Sequence, residues 1–96
     1  MYNPNELLTR FRKYLQAEQL AKSTVEQYCC MTKYFLNYHK CGADRISTSQ
    51  IISYLVTISS PVSRKQARAA IAKLYFMLGN HQKMNKVPAH VGFYAG

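Results

Sequence analysis

Three features of this 96-residue chain predict an all-α fold, a compact orthogonal bundle of four helices. A short polar residue is followed three positions later by Glu or Gln four times, at Asn3/Glu6, Ser23/Glu26, Ser47/Gln50 and Ser63/Gln66. Such a pair can cap a helix reciprocally: the first side chain accepts from the third helical amide, and the Glu or Gln reaches back to the cap's own N–H. Each pair precedes an apolar run with helical spacing, and no stretch shows the period-two alternation of a half-buried strand. The links are about three to seven residues long, so consecutive helices pack on one another, and their unequal lengths favour crossed packing over parallel rods.

The first helix is expected from Pro4 to Gln19, since Pro is favoured at the first helical position and Leu7, Leu8, Phe11, Tyr14 and Leu15 share a side. The second, Thr24 to Lys40, gathers Val25, Tyr28, Cys29, Thr32, Phe35 and Leu36 within an arc of about 120° at about 100° per residue. Gly42 is the expected stop. The third, Thr48 to Ile58, offers Ile51, Ile52, Leu55 and Ile58 to the core, and Ser59-Ser60-Pro61 ends it. The fourth, Arg64 to Leu78, buries Ala67, Ala70, Ile71, Leu74 and Leu78 before Gly79-Asn80 closes it. Residues 1–82 are expected to form the domain and residues 83–96 a basic, Pro-broken tail.

Charge separates the two halves. The chain carries 13 Lys/Arg against 4 Asp/Glu, a net +9, and from Arg45 to Gly96 there are seven Lys/Arg and no acid. That balance favours phosphate-bearing partners through counterion release and steering. A membrane is not the expected partner, because no stretch approaches the roughly 20 apolar residues of a spanning helix and the apolar faces are needed for the core. No signal-peptide pattern is read, and three cysteines with two of them adjacent (Cys29, Cys30, Cys41) suit neither a disulfide framework nor a metal knuckle. A cytoplasmic location follows. Cys41 and His39 fall short of the three or four ligands zinc needs, so no metal and no cofactor are expected.

The cationic residues suggest where a duplex would lie. On the fourth helix Arg64, Lys65, Arg68 and Lys73 are read as facing away from the Ala67/Ile71/Leu74 stripe, with Gln66 at the edge and Ala69 and Ala72 keeping the face low. Lys and Arg hold register on phosphates while Arg or Gln reads base edges. At the start of the second helix Lys22, Ser23 and Thr24 offer a cation, a hydroxyl and helix N-terminal amides to a phosphate. Tyr34 and Tyr38, with Gln27 and Met31, fall off the apolar arc. Two readings of them stay open: contact with a protein partner, or packing under Val91, Phe93 and Tyr94 of the tail.

These segments together, "LLTRFRKYL", "LAKSTVEQYCCMTKYFLNY", "ISTSQIISYL", "SRKQARAAIAKLYFML" and "NKVP", resemble the N-terminal core-binding domain of tyrosine recombinases of the phage-integrase type. The resemblance implies a SAM-like fold that clamps double-stranded DNA at a recombination half-site, nucleoid-associated when bound. Its implied partners are a separate catalytic domain and neighbouring protomers on DNA; the isolated domain would be monomeric. Its DNA-facing positions would be Lys22, Ser23, Thr24 and Gln27, then Arg64, Lys65, Gln66 and Arg68, with Lys73 a lesser member. One departure is that the family's Asn-Pro near the junction here reads Asn85-Lys86-Val87-Pro88. The family cleaves with a Tyr nucleophile assisted by Arg, Lys and His. This chain has no His-x-x-Arg, and Tyr94 has no cation after Lys86 to lower its pKa, so no catalytic residue is expected. Two other functions compete: a free-standing helix-turn-helix regulator reading DNA with the fourth helix, and a basic protein-interaction module using Tyr34, Tyr38 and the tail.

Overall fold

A computed structural model of the chain describes residues 4–87. They form α1 (Asn5–Ala17), α2 (Lys22–His39), α3 (Thr48–Val56) and α4 (Pro61–Met77), with short 3-10 turns at Ala43–Arg45 and His81–Met84. The described residues contain no strand. α4 meets all three other helices, α3 resting on it, and α2 packs extensively against both α1 and α4. The buried residues of α2, Val25, Cys29, Thr32, Phe35 and Leu36, are those the 3.6-residue period selects, and Tyr28 is half-buried at the edge. Phe11 and Leu15 of α1, Ile51 and Leu55 of α3, and Ala67, Ile71 and Leu74 of α4 complete the interior.

Tyr75 joins two layers of this core. Its ring is fully buried, near Phe35 with centroids 6.5 Å apart, and its hydroxyl donates to the Ala43 carbonyl at 2.7 Å. A buried phenol needs such a partner. The same carbonyl lies 3.4 Å from Lys83 Nζ, which also donates to the carbonyls of Asp44 (2.6 Å) and Ile46 (2.8 Å). Thr48 Oγ1 donates to the Lys83 carbonyl at 2.9 Å. The α2–α3 connector and the segment after α4 are thereby stitched together.

The helix starts differ from expectation at two places. Ser47 and Gln50 form the reciprocal capping box, with Gln50 N–H donating to Ser47 Oγ at 3.2 Å and Ser47 N–H to Gln50 Oε1 at 2.9 Å. Ser63, however, lies inside α4. Pro61 occupies the first helical position, where its missing N–H costs nothing, and Ser60 Oγ accepts the Ser63 amide at 3.4 Å. Ser23 is likewise within the first turn of α2, whose N-cap is Ala21 without a side-chain cap. Glu26 is drawn to Arg12 of α1 rather than back to Ser23. The Asn3 cap lies outside the described residues.

Helix ends follow from backbone conformation. α2 stops at Lys40, in the left-handed region at φ 54°, two residues before Gly42. Gly79, at φ 73°, lets the Asn80 amide turn back to the Tyr75 carbonyl at 2.8 Å, the bond that closes a Schellman-type end. Met84 and Val87, from the segment after α4, are buried members of the core.

Candidate nucleic-acid interface

The cationic residues of α4 divide between two faces. At about 100° per residue the buried stripe from Ala70 through Leu74, Ala67 and Ile71 to Tyr75 passes over the direction of Arg64, which lies about 20° inside its Tyr75 edge, and Arg68 lies about 20° outside that edge. Lys65, Gln66, Ala69 and Lys73 occupy the next arc, about 100° to 200° from Arg64. Arg64 and Arg68 therefore border the core instead of facing away from it. Arg64 Nε donates to the Leu55 carbonyl at 3.0 Å and its Nη2 to the Ile58 carbonyl, so the guanidinium closes the end of α3. Arg68 Nη2 donates to the Val87 carbonyl at 2.9 Å and fixes the segment after α4. A long side chain with a fork of donors suits this use, since the last carbonyls of a helix have no helical partner.

The outer arc and α2 meet through one bond: Gln27 Nε2 donates to Gln66 Oε1 at 2.9 Å. The pair leaves Gln27 Oε1 as an acceptor and the Gln66 amide as a donor, the complementary combination that reads an adenine edge. One turn before Gln27 lies exposed Ser23, beside exposed Lys22 and half-buried Thr24. The first intrahelical bond of α2 is made by the Val25 amide to the Ala21 carbonyl, so the amides of residues 22–24 stand at an uncapped, partially positive helix end. Lys65 is exposed.

Two of the four acids border this surface. Glu18, at the end of α1, is ion-paired with Lys73, and that hydrogen bond is the main cause holding the ammonium pKa above its usual value. Glu26 is ion-paired with Arg12, which lowers the carboxyl pKa; Lys22 adds to that effect. This candidate surface thus brings together Lys22, Ser23, Thr24, Gln27, Lys65, Gln66 and, under Glu18, Lys73. Pairing of these acids with α1 and α4 leaves no mark in sequence spacing, since Glu18 and Lys73 are 55 residues apart.

Beside the glutamine pair runs an apolar groove of about 370 Å³, walled by Met31, Tyr34 and Cys30 of α2 and by Tyr54, Ile58 and Ala67. Tyr34 is 65% exposed and Tyr38 55%. Tyr38 still packs, edge-on, against Tyr54 at 5.1 Å and His39 at 5.0 Å. His39 also meets Phe35 at 5.1 Å, and its Nε2 is buried without a hydrogen-bond partner. Burial lowers the imidazole pKa. Val91, Phe93 and Tyr94, the tail residues considered as cover for Tyr34 and Tyr38, lie outside the described residues, as does the rejected nucleophile role of Tyr94.

Among the described residues no three His, Cys, Asp or Glu side chains come together as metal ligands would, and no helix is long and apolar enough to cross a membrane. Comparison with family models matches residues 7–80, from the first turn of α1 to the residue after Gly79, to the phage integrase N-terminal SAM-like domain. Comparisons with curated proteins and with solved structures give no match.

Proposed function

The chain belongs to the phage integrase N-terminal SAM-like domain family, and from that membership we propose that it is the DNA-gripping module of a site-specific tyrosine recombinase, with strand cleavage carried by a separate catalytic domain. The observation that supports this most directly is the Gln27–Gln66 bond, which joins the open amino end of α2 to the outer face of α4. One continuous surface then holds amides and a hydroxyl for a phosphate, Lys22 and Lys65 for neighbouring phosphates, and paired amides for a base edge. Backbone contacts set the register, and the two glutamines supply what sequence discrimination there is. Arg64 and Arg68 shape this surface from behind: one ties α3 to α4, the other ties the end of the packed unit to α4. The partners implied are duplex DNA, the catalytic domain and neighbouring protomers, with the apolar groove at Tyr34 available to a protein contact.

The test is a fluorescence-anisotropy titration against a random duplex of about 20 base pairs at several salt concentrations. Binding that weakens steeply with salt is expected, and Lys65→Ala should lower the slope of log K against log salt by about one. Absence of binding at low salt would refute the proposal and turn attention to the groove and a protein partner.

A further inference from the structure

We propose that Glu18 is a resident competitor for the DNA backbone: its carboxylate holds Lys73 in the free domain and is exchanged for a phosphate when the outer face of α4 engages a duplex. This rests on the DNA-binding reading above and adds a residue that tunes it. Lys73 lies about 20° from Gln66 around α4 and two turns further on, roughly 10 Å along the axis, so a duplex following Lys65 and Gln66 runs toward it. Its ammonium is not available as the free domain stands, because Glu18 Oε1 already accepts from it.

The position of Glu18 is informative. It is the C-cap of α1, where the helix presents the negative end of its dipole, an unfavourable place for a carboxylate. Helix stability therefore gives no reason for an acid there, whereas the cation across the gap does. Only Gln19, Leu20 and Ala21 separate Glu18 from the open amino end of α2, so the acid sits at the border of the proposed phosphate track. The pair is accessible to exchange, with side chains 38% (Lys73) and 34% (Glu18) exposed. Exposed pairs of this kind are weak, and a phosphate arriving with several simultaneous contacts can displace the carboxylate. The exchange lowers affinity by the same factor on every sequence, and because the Gln27–Gln66 contacts are untouched the ratio of specific to non-specific binding is preserved.

Anisotropy titrations of the whole chain on a random duplex test this with four proteins: wild type, Glu18→Gln, Glu6→Gln, and Glu18→Gln combined with Lys73→Met. Glu6 is the control for a generic gain of one positive charge, since it is exposed in the first turn of α1, about 18 Å along the helix from Glu18. Glu18→Gln should bind about three- to fivefold tighter than wild type, Glu6→Gln less than about 1.5-fold tighter, and Lys73→Met should erase the gain of Glu18→Gln. A Glu18→Gln gain no larger than that of Glu6→Gln, or one that survives Lys73→Met, would overturn the exchange while leaving the DNA-binding reading intact. Absence of wild-type binding at low salt would overturn both.

Discussion

Replacing Arg64 by Ala separates a structural guanidinium from a DNA-facing one. In the folded chain Arg64 donates to the Leu55 and Ile58 carbonyls at the end of α3. Leu55 retains the Ile58 amide at 3.1 Å after truncation, so the loss falls mainly on Ile58. A hydrogen bond from a charged donor to a partly buried carbonyl contributes about 1.5–3 kcal/mol. Taking about 2 kcal/mol, and the 4–8 °C per kcal/mol expected for a domain of this size, the melting temperature should fall by roughly 8–16 °C. Thermal unfolding followed by far-UV circular dichroism measures this directly. Arg64→Lys should recover no more than about half, because an ammonium cannot reproduce the two-pronged geometry. Below the transition the folded Arg64→Ala variant should keep the wild-type salt dependence of DNA binding. A variant that melts within about 2 °C of wild type and loses about one unit of salt slope would refute the assignment and place the guanidinium on a phosphate.

Other outcomes follow from the same contacts. Arg68→Ala should lower stability by about 1–2 kcal/mol, read from denaturant midpoints, and speed proteolysis near Val87 through loss of that carbonyl's partner. Ser60→Ala should lower stability by about 0.5–1 kcal/mol and Ser63→Ala by less, the reverse of what the sequence pattern suggests, by thermal melts of both. For His39, burial depresses the folded-state pKa below the unfolded imidazole value of about 6.5. The unfolded chain then binds the proton more readily, so stability is complete above about pH 6.5 and declines as pH falls toward the folded pKa. His39→Phe, which preserves ring contacts with Phe35 and Tyr54, should flatten the denaturant midpoint between pH 7 and 5; a wild-type midpoint already flat there would contradict the buried neutral imidazole.

The four helices and most of the core were legible because apolar spacing is a local property, and the arc from Val25 to Leu36 carries it without ambiguity. The caps were legible only where neither a tertiary partner nor a nearby proline competed. At Ser47 nothing draws Gln50 away, and the box forms. At Ser23 the glutamate has a better partner in Arg12, and at Ser63 a proline two residues earlier moves the start to Ser60. The geometry of the candidate surface was half-legible for a related reason. Lys65, Gln66 and Lys73 follow the helical period onto one side, but a charge count cannot separate an arginine reaching solvent from one lying along the core's rim and ending on backbone carbonyls. Glu18 and Lys83 carried no signal at all, since their partners are set by how the helices cross.

The cage around Lys83 bears on how the domain transmits load. Three carbonyls of the α2–α3 connector receive its ammonium, Tyr75 lies beneath it at 5.4 Å, and Arg68 grips Val87 four residues later. Tension applied to the chain beyond Val87 is therefore carried sideways into α4 and the connector at two anchor points, where it must shear several charged hydrogen bonds together. The final turn is not left to peel away one bond at a time. A domain anchored in this way moves as one body when pulled from that end, so displacement there is delivered to the face formed by α2 and α4 without being absorbed in a fraying terminus.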